Sequence, residues 1–175
     1  MQPSSFDTTF AALTDAGQPF PWLSELFKRF ISDDPNHIPA SCNIPTGLGK
    51  TSVVAVWLIA LASRPDRMPR RLVYVVNRRT VVDQTTEEVT KYRRRLAEQE
   101  ELEPLRKKLG PLAISTLRGQ YADNREWSAD PSLPAVIVGP VDMIGSRLLF
   151  SGYGVGTARP LHAGFLGQDV LRGHA

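Results

Sequence analysis

The chain has 175 residues, 42% of them hydrophobic, a formal net charge of +3 and one cysteine. That length suits a single α/β domain with a buried core and is too short for two of ordinary size. One cysteine excludes an internal disulfide, and His37, His162 and His174 lack metal-ligand spacing, so a zinc site is not expected. The mild basic excess is compatible with nucleic acid without arguing for it.

The N-terminus MQPSSFDTTF has neither the basic start nor the apolar core of a secretory signal. The apolar run 53–62 falls well short of the roughly 20 residues that a bilayer span needs. The expected compartment is therefore the cytoplasm, with no membrane partner. Pro21 opens a helix in which Trp22, Leu23, Leu26, Phe27, Phe30 and Ile31 recur at helical spacing. Residues 33–36 (DDPN) end it. Residues 38–44 read as a short apolar strand holding Cys42, expected as a small buried side chain, and residues 51–62 (TSVVAVWLIALA) as a helix apolar on nearly every face.

Beyond a proline-punctuated basic connection at 64–70, residues 72–76 (LVYVV) read as a buried-type strand. A polar helix follows from about Thr80 to Lys108, with Pro104 as its expected break. Residues 112–116 and 135–138 are two further short strands, and residues 150–164 are the one long loop. Strands and helices alternate, which predicts a parallel sheet covered on both faces with ligands at the carboxyl ends of its strands.

Between the first strand and its helix stands Pro45-Thr46-Gly47-Leu48-Gly49-Lys50-Thr51. Glycines at 47 and 49 allow a turn whose backbone N–H groups point inward, and a helix N-terminus behind it adds positive potential, so the segment suits a polyphosphate. Lys50 is placed to reach the β/γ-phosphates of ATP and the Thr51 hydroxyl to hold Mg²⁺. Ile44 departs from the glycine that opens the strict form of this motif.

Three further segments follow predicted strands. Residues 77–84 (NRRTVVDQ) place Arg78 and Arg79 at a helix start, where charge and backbone N–H groups can hold nucleic-acid phosphates. Residues 115–120 (STLRGQ) supply Thr116, Arg118 and Gly119, and residues 138–143 (VGPVDM) make another strand-to-helix turn. Their joint occurrence after a phosphate loop is what an NTP-driven translocase on a sugar-phosphate track needs.

These residues resemble superfamily 2 helicases: PTGLGKT is similar to motif I, RRTVVDQ to motif Ia, STLRG to motif Ib and VGPVDM to the next strand-end motif. Phe20-Pro21-Trp22 resembles the aromatic approach that precedes motif I. With residues 118–127 (RGQYADNREW) and 146–154 (SRLLFSGYG), the resemblance narrows to the CRISPR-associated helicase-nuclease of type I systems, subtype U/G. It implies a RecA-like P-loop domain, nucleotide contacts from Phe20, Trp22, Thr46, Gly47, Leu48, Gly49, Lys50 and Thr51, and single-stranded DNA contacts from Arg78, Arg79, Gln84, Thr116, Arg118, Gly119 and Asp142. It also implies recruitment by a guide-RNA surveillance complex.

The resemblance implies a metal-holding aspartate and a water-activating glutamate after a strand beginning near Val170, where this sequence reads Leu171-Arg172-Gly173-His174-Ala175. The expectation is therefore an N-terminal extension at 1–20 and a first RecA-like domain at 21–175 that stops before that motif, with hydrolysis nearly absent. Leu23 stands where an adenine-reading glutamine is expected, and Pro140 where a threonine is usual. A stand-alone module that binds nucleotide or DNA without turnover is the alternative from another class. A P-loop kinase is a third, for which RRTVVDQ and STLRG have no evident role.

Overall fold

The computed structural model describes residues 3–117 and 126–149. Helices α1 (Pro3–Thr14) and α2 (Pro21–Phe30) precede the glycine turn, which passes through one turn of 3-10 helix (Lys50–Ser52) into α3 (Val53–Ser63). Then come β1 (Arg71–Val76), α4 (Arg79–Glu98), a 3-10 turn (Glu100–Leu102), α5 (Glu103–Leu109), β2 (Ala113–Thr116), α6 (Glu126–Ala129), β3 (Ala135–Pro140) and α7 (Val141–Leu149).

The three strands form a parallel sheet in the order β1-β3-β2, with Val76 opposite Pro140 and Thr116 opposite Val138. The two-residue period of a strand sorts side chains onto two faces. Leu72, Tyr74, Val76, Ile114, Val136 and Val138 join the main core with α1 to α5. Val73, Ala113, Leu117, Ala135 and Ile137 form a smaller cluster with Met143 and Ile144 of α7. Helices thus lie on both faces of a parallel sheet, the α/β arrangement of a RecA-like domain.

The helix after the turn is apolar on every side because α3 is buried from Val54 to Ala62. The first 20 residues do more than extend the chain. Phe6, Phe10 and Leu13 of α1 are fully buried, and the Phe6 ring stacks on Phe27 of α2 at a centroid distance of 4.2 Å. Arg95 of α4 caps this helix, donating to the Leu13 carbonyl and pairing with Asp15 at 2.9 Å.

Two expectations need correction. Residues 38–44 form no strand: they pair with none of the described strands, and Cys42 is exposed rather than buried. An apolar run becomes a strand only where a neighbouring strand accepts its backbone groups, and none of the described strands does so. The long polar helix breaks at Gln99, whose ψ of 126° is extended, and not at Pro104, which sits in the first turn of α5 where its missing N–H costs nothing. Residues 150–164 lie outside the described residues.

Candidate nucleotide and nucleic-acid site

The turn at 45–51 carries two left-handed glycines. Gly47 (φ 83°) and Gly49 (φ 69°) both occupy the left-handed region that L side chains avoid. Thr46, Gly47 and Lys50 are exposed, Leu48, Gly49 and Thr51 half-buried. Lys50 has no ion-pair partner among the described residues, so its ammonium is available to a ligand. Immediately behind, Ser52 donates its N–H to the Gly49 carbonyl at 3.0 Å, which starts the helical turn directly beneath the cradle.

Two aromatic residues from the start of α2 brace this turn. The Trp22 indole N–H donates to the Leu48 carbonyl at 2.9 Å. The Phe20 ring lies against Gly49, where an added Cβ would stand 3.2 Å from Cδ2 and Cε2. Phe20 is 43% exposed, so part of its ring is open to solvent. Leu23, by contrast, is only 1% exposed and belongs to the core, so it offers no polar reading of a base.

A third brace comes from α4. Tyr92 is buried, with its phenol close to the Ser52 side chain. Burial, aided by the negative charge of Glu88, pushes the Tyr92 phenol above its usual range, and Ser52 opposes the shift. On the far side of the approach, Arg64 pairs with Asp33 at 3.0 Å and Arg67 donates to the Asp34 carbonyl at 2.8 Å, tying the end of α2 to the segment after α3.

The carboxyl ends of the three strands share one edge of the sheet because all run parallel. The register Val76 to Pro140 sets the starts of α4 and α7 side by side there. Arg78, Arg79 and Gln84 are exposed at or near the start of α4, and the Arg78 backbone is extended (φ −121°, ψ 129°) with no side chain capping the helix. Asp142 is exposed in the first turn of α7, where its charge complements the helix dipole and opposes a phosphate.

Thr116 is 9% exposed, and its hydroxyl lies 3.0 Å from that of Thr86, a contact that fastens β2 to α4. Arg118 and Gly119 lie outside the described residues. The edge thus sets Arg78 and Arg79 at the start of α4 beside the start of α7, which carries Asp142, with Gln84 more than a turn further along α4. The Trp22, Tyr92 and Thr86 contacts escaped the sequence reading, although a tryptophan in the first turn of a helix does signal an indole N–H that needs a partner.

An alternating α/β fold with a glycine turn leading into a buried helix is the arrangement of a P-loop domain. The comparison with protein families agrees: residues 18–132 match the family described as type III restriction enzyme, res subunit, and the chain belongs to that family. Comparison with curated proteins and with solved structures yields no match. Among the described residues no helix is long and apolar enough to cross a membrane.

Proposed function

We propose that this domain binds ATP at residues 45–51 and the backbone of single-stranded DNA along the edge formed by Arg78 and Arg79, as the first RecA-like half of a superfamily 2 motor. The observation that carries the reading is the left-handed pair Gly47 and Gly49 beside Lys50, which has no ion-pair partner among the described residues and opens the 3-10 turn leading into α3. Thr51, half-buried in the same turn, is the residue to hold Mg²⁺; the ion, when bound, neutralises polyphosphate charge. Two exposed arginines at the uncapped start of α4 favour a backbone track over base reading. The narrower assignment, a CRISPR-associated helicase-nuclease recruited by a surveillance complex, rests on sequence resemblance at 118–127 and 146–154.

The DNA half of the proposal is tested by fluorescence anisotropy with a labelled oligonucleotide over a range of salt concentrations. Arg78→Ala and Arg79→Ala should each weaken binding on every sequence alike and reduce the log–log salt slope by about 0.7. Unchanged affinity in both variants at low salt would assign these arginines to an ordinary solvated surface.

A further inference from the structure

Trp22 belongs to an aromatic pair that by resemblance would touch the nucleotide, yet its one polar group is already engaged. The indole N–H is the donor of a 2.9 Å bond to the Leu48 carbonyl, 26 residues away. We propose that Trp22 is a positioning residue for the phosphate loop, acting on the direction of a loop amide and not on the base. The inference rests on the reading of residues 45–51 as a polyphosphate site.

The argument is one of peptide geometry. The Leu48 carbonyl and the Gly49 N–H belong to the same peptide unit, which is planar and trans, so the two groups point in opposite directions. A donor that holds the carbonyl on the α2 side therefore turns the Gly49 N–H away from α2. Without that donor, Gly49 has several backbone wells open to it, and the Leu48–Gly49 peptide can flip and present a carbonyl where an anion needs an N–H.

The donor is itself well anchored. Pro21 fixes the backbone at the first position of α2, and the Leu23 and Ser24 N–H groups bond the Phe20 carbonyl. Leu23 is buried in the core directly after Trp22, and Phe27 further along α2 stacks on Phe6. The Phe20 ring closes on Gly49 from the same helix start. One helix start thus supplies both a steric stop and a hydrogen-bond donor, which presets the loop before a ligand arrives and reduces the ordering cost of binding.

The test compares calorimetric affinities for Mg-ATP and for inorganic tripolyphosphate, which has no base, in the full chain, in Trp22→Phe, and with benzothienylalanine at position 22, which keeps the indole shape but lacks the N–H. The expected result is a loss of roughly fivefold for both ligands in both variants, with the melting temperature of the benzothienylalanine protein unchanged. A loss for ATP alone would show that Trp22 contacts the base and overturn the proposal while leaving the loop intact. Unchanged affinities for both ligands, with Lys50→Ala still weakening them, would reduce Trp22 to a packing residue. Absence of binding in the wild type and in Lys50→Ala alike would remove the loop reading and this inference together.

Discussion

Arg93 Nη1 and Glu126 Oε2 lie 2.8 Å apart, and the same carboxylate oxygen accepts the Ile114 backbone N–H at 3.1 Å. Ile114 is in β2, an outer strand of the sheet, so a four-residue helix and an α4 arginine together occupy a backbone donor on that edge. Glu126→Ala should therefore destabilise the domain by about 1–2 kcal/mol, from two charge-assisted hydrogen bonds and one re-exposed edge donor. Urea denaturation measures this. A midpoint equal to wild type would mean that the β2 edge is held by other contacts.

The other outer strand is managed less well. β1 pairs only with β3 among the described strands, and Val75 on it is 44% exposed. An apolar edge of this kind recruits further strands, whether from a sheet that continues or from another molecule. Val75→Lys should lower the aggregation rate, followed by light scattering at fixed concentration, and leave the unfolding free energy within about 0.5 kcal/mol of wild type. Unaltered aggregation would move the sticky surface elsewhere.

Tyr92 joins α4 to the start of the loop helix, and it gives the domain an alkaline limit. Its phenol is raised by burial and by Glu88, so it keeps its proton in the folded state at pH values where the unfolded chain has lost it. Over that interval the unfolded state binds fewer protons and stability falls as pH rises; below about pH 10 the contribution is complete. Melting temperatures taken from neutral to strongly alkaline pH should drop more steeply for wild type than for Tyr92→Phe. Parallel curves would mean that the phenol plays no part in alkaline unfolding.

The parts of the fold that were legible in the sequence are those decided locally. Residues 53–62 are apolar throughout and become a buried helix, and three β-branched runs become three parallel strands. The glycine turn was legible because positive φ at 47 and 49 demands glycine. What failed depends on partners distant in sequence. Residues 38–44 have strand composition but pair with none of the described strands, Cys42 is exposed, and the Thr116 hydroxyl meets that of Thr86, 30 residues away. Pro104 misled because proline both breaks helices and begins them, and only the extended backbone at Gln99 decides which.

The central claim is that residues 45–51 hold a polyphosphate through Lys50 and inward N–H groups. Isothermal titration of Mg-ATP into wild type and Lys50→Ala tests it most directly, because the substitution removes one exposed ammonium and touches no buried contact. The charge-assisted bonds of that ammonium predict an affinity at least roughly tenfold weaker in the variant. Equal affinities in the two proteins would contradict the account.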